Sequence, residues 1–308
     1  LAIFGIAQQY QQLGRHIITC QTEHKAVLAP CAQLASQGFE VTHLAPTACG
    51  TVDLDALKAA LRDDTILVSL MHVNNEIGMI NPIAQIAELV NASNAILHVD
   101  AVQSIGKLPF SVKQLGLTCV SLSAHKTYGP KGIGALYIDP AARIKLKPQI
   151  FGGNQQQQIR PGTIPTAQIV GMGQAYAEAI EYMNNDVIRI AKLRDLLWQG
   201  IKTIPGVSLN GDMLNRVAHN LNVSVAGVDG ESLLLALDAL AVSSGSACNA
   251  SAITPSHVLL AMGHTPACAH ASVRLSLGRY TTKEHVEQAI AIFRSQVTKL
   301  LTLAKVDV

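Results

Sequence analysis

The stretch Ile66–Asp100, ILVSLMHVNNEIGMINPIAQIAELVNASNAILHVD, carries two short apolar runs, Ile66–Val73 and Ala95–Val99, separated by a segment that Pro82 opens. Runs this short and this uniformly apolar read as strands buried on both faces. Proline suits the first turn of a helix, so the segment from Pro82 reads as the helix between them. The same alternation extends upstream: His16–Cys20 and Phe39–Leu44 read as strands, Lys25–Gln37 and Asp53–Leu61 as helices. Downstream, Val120–Leu122 is a further apolar run. Strands alternating with helices predict an α/β domain of three layers, a mainly parallel sheet covered on both sides. In such sheets ligands gather beyond the carboxyl ends of the strands, so polar residues just after strands are the first place to seek chemistry.

From about Thr166 the pattern changes to long helices. Ile190, Leu193, Leu197, Ile201 and Ile204 recur at steps of three and four, ending near Pro205-Gly206. Short strands at Val207–Asn210, Leu221–Val225 and Val273–Leu277 and a helix from Gly230 to Leu240 follow. The last helix is expected to open on a capping box, Thr281-x-x-Glu284, with Val286, Ile290, Phe293, Val297 and Leu300 on its apolar face. We therefore expect a large α/β domain over residues 1–175 and a smaller α+β domain over 176–308.

The composition narrows the functional classes. Of 308 residues 49% are hydrophobic and only 14% charged, with a net charge of +2, which argues against a nucleic-acid binder. No apolar run reaches the roughly 18–20 residues of a membrane span. Leu1–Ala7 is followed by polar Gln8–Gln12, so no cleavable leader is read there. The six cysteines are dispersed without CxxC spacing, which points to a reducing, intracellular setting.

Four polar signals stand out. Asp100 follows the run Ala95–Val99, with Gln103 three residues later; Ser123-Ala124-His125-Lys126 follows Val120–Leu122 and precedes Gly129-Pro130-Lys131-Gly132. Arg160-Pro161-Gly162-Thr163 is the third, and Ser243-Ser244-Gly245-Ser246-Ala247-Cys248 the fourth. Taken singly, each has an ordinary reading: a turn or cap aspartate, a solvated lysine, a turn hydroxyl, a buried inert thiol. Together they match the needs of pyridoxal phosphate (PLP). A lysine forms the Schiff base, and an aspartate on a neighbouring strand keeps the pyridine nitrogen protonated. Ser and His donors before the lysine hold the phosphate. A cysteine in a Gly/Ser loop points beyond transamination, which needs no protein thiol.

These residues, with Thr22–Lys25, Met71–Gly78, His98–Gln103 and Val273–Arg279, run in the order found in the cysteine desulfurases of the NifS/IscS type, and the chain resembles that family essentially end to end. The family belongs to the fold-type I PLP enzymes of the class-V aminotransferase superfamily. The resemblance implies that Lys126 carries PLP, Asp100 pairs with the ring nitrogen and Gln103 bonds the ring's phenolic oxygen. His24 would stack on the ring and move protons; Ser123 and His125 would grip the phosphate. Thr163 would reach the phosphate of the partner subunit, which implies a homodimer. Asn75 would orient cofactor and substrate, and Arg274 would hold the substrate carboxylate. Cys248 would be the nucleophile that takes sulfur from L-cysteine, leaving a persulfide on itself and releasing L-alanine. The small residues of 243–251 would allow the motion that delivers this sulfur.

The resemblance further implies an iron–sulfur scaffold protein or a sulfur-carrier protein as acceptor, serving iron–sulfur cluster assembly or tRNA thiolation. The implied location is the cytoplasm, with an organelle matrix left open. No nucleic acid, membrane or resident metal is expected; the metal contact implied is a transient iron–sulfur one through Cys248. Cys20, Cys31, Cys49 and Cys119 are assigned to packing or surface, and His264, Cys268 and His270 lack a fourth ligand at finger-like spacing. Three features depart from the family. Family members carry several dozen residues before the equivalent of Leu1, including a phosphate-binding Ala-Thr loop, so a further N-terminal segment is expected. Gly152–Gln158 replaces a Gly-rich stretch with a charged pair near the dimer contact, and the tail after the last helix is short. The alternatives are a selenocysteine lyase or other fold-type I PLP enzyme, and a non-catalytic remnant that binds iron–sulfur assembly partners.

Overall fold

The computed structural model describes residues 1–244 and 254–304. It divides into two compact units: 1–46, 52–74 and 81–183 form the first, and 47–51, 75–80 and 184–308 the second. The first holds a sheet of β1 (His16–Cys20), β2 (Glu40–Leu44), β3 (Thr65–Met71), β4 (Ile96–Asp100), β5 (Cys119–Ser123) and β6 (Gly134–Ile138). The strand order is β2-β1-β3-β4-β5-β6, with all neighbours parallel except β6, which runs antiparallel to β5. Helices α1 (Ala2–Tyr10), α2 (Lys25–Ser36), α3 (Leu54–Ala60) and α4 (Ile83–Asn91) supply the outer layers.

Side-chain alternation shows why the strands read as continuous apolar runs. Ile18, Val68, Leu70, Leu97, Val99 and Val120 join one apolar cluster with Leu57 of α3 and Ile86 and Val90 of α4. Their neighbours Ile17, Leu67, Ile96 and Cys119 join another with Ile3 and Ile6 of α1 and Val27 and Leu34 of α2. Successive residues thus bury opposite faces, and both faces are mainly apolar. The α/β reading with a mainly parallel sheet holds. Because β2 and β3 lie on opposite sides of β1, the strand order reverses between β1 and β3, and the carboxyl ends of β1, β3, β4 and β5 share one edge.

The helix α5 (Thr166–Ile201) contributes to both units. The second unit has an antiparallel sheet of β7 (Val207–Leu209), β8 (Asn220–Val225) and β9 (Ser272–Ser276), with α6 (Gly230–Ala236), α7 (His257–Ala261), α8 (Pro266–His270) and α9 (Lys283–Ala304). Leu221, Val223 and Val225 pack with Leu197 and Ile201 of α5 and Phe293 and Val297 of α9. The other face of β8 is polar yet buried: Asn220 and Asn222 both donate side-chain amides to the Glu76 carbonyl, at 3.1 and 3.0 Å.

Two details depart from the sequence reading. The cap of α9 lies one residue later than Thr281–Glu284. Thr282 and His285 bond reciprocally, the His285 amide to Thr282 Oγ1 (3.2 Å) and the Thr282 amide to His285 Nδ1 (3.3 Å). Thr281 Oγ1 instead accepts from the Gly278 amide, which holds the turn after β9. The helix from Gly230 stops at Ala236, where Leu237 leaves helical geometry at ψ 21°.

Candidate active site

Asp100 is the last residue of β4, placed opposite Met71 of β3 and Ser121 of β5. Its Oδ1 accepts the Val102 amide at 3.0 Å, which turns the chain off the strand end. Burial pushes its carboxyl above the ordinary aspartate range, opposed by the Val102 bond and by the charge of nearby His24. His24 stands after β1 and caps α2, its Nδ1 accepting from the Ala26 amide. Between these strand ends lies Glu23, whose Oε1 takes the Met71 amide at 2.8 Å. Burial raises the Glu23 carboxyl well above its usual range, and the nearby Asp100 charge pushes it the same way.

On the neighbouring strand, β5 ends at Ser123 and a single tight turn, Ala124–Lys126, follows. Ser123 Oγ and His125 Nδ1 lie 2.9 Å apart, so the two expected phosphate donors meet. His125 is held below the usual imidazole range by desolvation and by the charges of Lys126 and Lys131. Tyr176 of α5 donates its hydroxyl to the Ser123 carbonyl at 3.2 Å and thereby pins the strand end. Lys126 is exposed at this same sheet edge. Gln103 lies in the turn that follows Asp100, and its Oε1 accepts from Lys107 Nζ at 2.6 Å. His24, Asp100, Gln103, Ser123, His125 and Lys126 are therefore gathered at the carboxyl edge of the sheet. Thr163 is exposed in a loop of the same unit, outside that group.

In the second unit Arg274 of β9 donates from Nη1 to the Asn75 carbonyl at 3.0 Å, so these two candidates meet. The Arg274 backbone exchanges two hydrogen bonds with Ser243, the first residue of the Gly/Ser run. Cys248, with most of that run, lies outside the described residues. Glu76, next to Asn75, accepts from Ser256 Oγ at 2.5 Å.

Residues that the sequence did not single out also shape the site. His98, two residues before Asp100 in β4, bridges Ser69 of β3 and Ser121 of β5 through its two ring nitrogens, each contact at 2.8 Å. His72 lies just beyond β3; its amide donates to the Asp100 carbonyl, and its Nδ1 pairs with Ser104 Oγ at 2.9 Å. Both lay inside blocks quoted for the family resemblance; the available signal was an imidazole in an otherwise apolar strand.

Three of the other thiols behave as packing groups, while Cys49 is exposed and Cys268 half-buried. Cys20, Cys31 and Cys119 are buried, and burial pushes the last two up to about 12. Among the described residues no three His, Cys, Asp or Glu side chains converge as metal ligands. His264 and Cys268 approach each other at 3.5 Å without a third. Among the described residues, too, no helix is long and apolar enough to cross a membrane.

The donor set fits pyridoxal phosphate. A half-buried aspartate whose carboxyl is raised by desolvation is matched by a protonated ring nitrogen. A hydroxyl and an imidazole meet one strand away, and a lysine follows them within three residues.

Comparison with known proteins agrees. The aminotransferase class-V family pattern matches residues 1–289. The chain is 54% identical over 300 residues to the cysteine desulfurase IscS of Vibrio atlanticus, covering 97% of this chain and 74% of that protein. It is 53% identical over 304 residues to the cysteine desulfurase IscS of Klebsiella pneumoniae, covering 99% and 75%. Among solved structures, a NifS-like protein superposes with a TM-score of 0.88 at 34% identity, over 96% of this chain and 78% of that one. The protein SspA, solved in complex with cysteine, gives 0.78 at 36% identity, over 91% and 78%.

Proposed function

Since the chain belongs to the aminotransferase class-V family, a PLP-dependent family, we propose that it acts as a cysteine desulfurase, with the division of labour set out below. The observation that carries the reading is 54% identity over nearly the whole chain, in which Asp100, Ser123, His125 and Lys126 stand together at one sheet edge.

Bound PLP supplies an electron sink that draws density from the carbons of the amino-acid substrate. Lys126 would hold the cofactor through its ε-amine. Asp100 would keep the proton on the ring nitrogen, a task suited to a carboxylate at the strand end whose Oδ1 is already fixed by the Val102 amide. Ser123 and His125 bind phosphate oxygens. Gln103 donates to the ring oxygen. His24, whose charge Asp100 already feels, packs on the ring and carries protons. Arg274 offers its remaining guanidinium N–H groups to the substrate carboxylate. Asn75, whose backbone carbonyl fixes Arg274, orients the substrate beside it.

Cys248 supplies the thiolate. It attacks the substrate sulfur, so a sulfur–sulfur bond forms as the carbon–sulfur bond breaks. The bond electrons stay on carbon, which takes up a proton to become the methyl group of alanine; the transferred sulfur is oxidised and the carbon reduced, and the electron count closes. The persulfide on Cys248 then passes to an iron–sulfur scaffold protein or sulfur carrier. A homodimer is supported by exposed apolar residues clustered in one stretch, Ile150, Phe151, Ile164 and Val170, around Thr163. The five described cysteines, dispersed and free, support a cytoplasmic setting.

The test is alanine formation from L-cysteine in the presence of a thiol reductant, with sulfide released in equal amount. Cys248→Ala is expected to keep the visible absorbance of bound PLP and to lose alanine formation. Turnover that survives this substitution would sink the mechanism.

A further inference from the structure

We propose that Lys107 is a positioning residue that fixes the amide of Gln103, so that its NH2 group, and not its oxygen, is presented to the ring oxygen of the cofactor. This rests on the cofactor reading above and extends it to a residue with no assigned role.

The argument starts from donor chemistry. A lysine ammonium has three donors and no acceptor, so the only part of a glutamine amide it can bond is the oxygen. Lys107 Nζ lies 2.6 Å from Gln103 Oε1, the distance of a short, charge-assisted bond. An amide is planar, so engaging its oxygen on one side turns its NH2 group the other way. With no such partner the amide rotates freely and offers oxygen or nitrogen equally. An amide oxygen facing an anionic ring oxygen is repulsive; an NH2 group facing it is a hydrogen bond. The positive charge on Lys107 also polarises the amide, which makes its N–H groups stronger donors.

The backbone beneath this pair is held from several directions. Gln103 and Lys107 stand four residues apart in the turn after β4, which brings their side chains to the same side. Between them, the Ser104 carbonyl accepts the amides of Lys107 and Leu108, each at 3.1 Å, and Ser104 Oγ is tied to His72. Gly106 has φ +73°, and a Cβ there would stand 2.6 Å from the Cβ of Ala179 on α5, so the turn is pressed against that helix. Lys107 thus springs from a fixed base, and its reach to Gln103 is not the wandering of a surface lysine. Both side chains are half-buried, where such a bond is less screened than at the surface.

The experiment has two readouts and four variants. In the full chain before PLP is added, the side-chain amide signals of Gln103 are followed by NMR. Lys107→Met is expected to move them, and Lys107→Arg, which keeps a cationic donor, to restore them. After PLP is added, the pH midpoint of the visible absorbance is measured. A nearby cation bonded through the amide favours loss of a proton from the cofactor. Its removal in Lys107→Met is therefore expected to raise the midpoint by about one pH unit, roughly a tenfold change in the proton equilibrium. Lys107→Arg is expected to titrate as the parent does. In a Gln103→Ala background Lys107→Met should add no further shift, because the effect passes through the amide.

A full shift that persists without Gln103 means that the lysine acts directly by its charge, and overturns the proposal. Identical titrations with and without Lys107 overturn it as well, and so do Gln103 signals that ignore Lys107. A parent chain that takes up no PLP overturns the cofactor reading itself, and this proposal with it. Uptake with an unmoved midpoint overturns the proposal alone.

Discussion

Acidification should unfold this protein through two imidazoles in or beside its central sheet. His72 and His98 are both buried, and burial lowers each to about 4, from an ordinary value near 6.5. The ring nitrogens of His98 are taken up by Ser69 and Ser121, and His72 pairs with Ser104. Among the described residues neither ring has a carboxylate bonded to it that would reward protonation. The sign follows from proton counting. Below pH 6.5 the unfolded chain binds a proton on each histidine, while the folded chain binds none until about pH 4. Stability therefore falls as pH drops through this window, and the loss is complete near the folded value. With these pKa values the linkage relation gives a loss of about 2 kcal/mol per histidine between pH 7.5 and pH 5.0, or roughly 4 kcal/mol for the pair. Urea unfolding followed by far-UV circular dichroism at the two pH values measures the loss. Trp198, the single tryptophan, lies in the second unit and reports that unit separately by fluorescence. In His98→Gln, which keeps a donor and an acceptor but cannot titrate, the pH-dependent loss should shrink by about 2 kcal/mol. The reasoning fails if His98→Gln loses as much stability between pH 7.5 and 5.0 as the parent protein.

Other consequences follow from single residues. Asp100→Asn removes the charge that steadies the ring proton; alanine formation should fall on the order of 10²–10³-fold while the visible absorbance of bound PLP persists. Gly78→Ala places a side chain at φ +73° and a Cβ 2.7 Å from Asn220, whose amide holds the Glu76 carbonyl. The backbone term alone costs about 1–2 kcal/mol, to be read as a lower urea midpoint of Trp198 fluorescence. Glu76→Gln replaces the carboxyl that accepts from Ser256, the capping residue of α7, by an amide, and a loss of about 1 kcal/mol is expected in the same assay. By contrast Arg62→Ala, which removes the exposed ion pairs with Glu40 and Asp64, should change stability by less than about 1 kcal/mol.

What the sequence disclosed follows from where apolar surface is buried. β1 and β3 are buried along their whole length, so each reads as a short, mainly apolar run and each was legible. β6 is an edge strand with exposed and half-exposed residues, opens on Gly134 and runs antiparallel; nothing in its composition separates it from a loop. The helix α1 lacks a side-chain cap and acidic residues in its first turn, which removes the usual start signals. The cap of α9 slipped by one residue because Thr281 and Thr282 are adjacent and both precede a plausible partner; only the hydrogen bonds distinguish them.

The site obeys the same logic, with one refinement. Asp100, Ser123 and Lys126 were legible because they follow apolar runs, where the sheet has no more apolar surface to cover. The residues that hold them were not, since their partners lie far along the chain: His72 meets Ser104, 32 residues on, and His98 meets Ser69 and Ser121 across 29 and 23. Yet a signal was present. A polar side chain inside a strand buried on both faces costs free energy unless it is bonded, so each such residue demands a partner on a neighbouring strand. Ser69, His98 and Ser121 are three such breaks in three consecutive strands of the sheet, and they satisfy one another in a single line across it. His98 stands two residues before Asp100 on β4 and Ser121 two before Ser123 on β5, so the bonds that make polar residues tolerable in the sheet also tie together the strands whose ends bear the chemistry. Ser121→Val removes one of these hydroxyls and leaves His98 Nε2 without its bond inside the sheet. The expected cost is about 1–3 kcal/mol of stability in the urea assay, together with weaker uptake of PLP in an absorbance titration. A variant as stable as the parent, with unchanged uptake, would show that the line is incidental to the site.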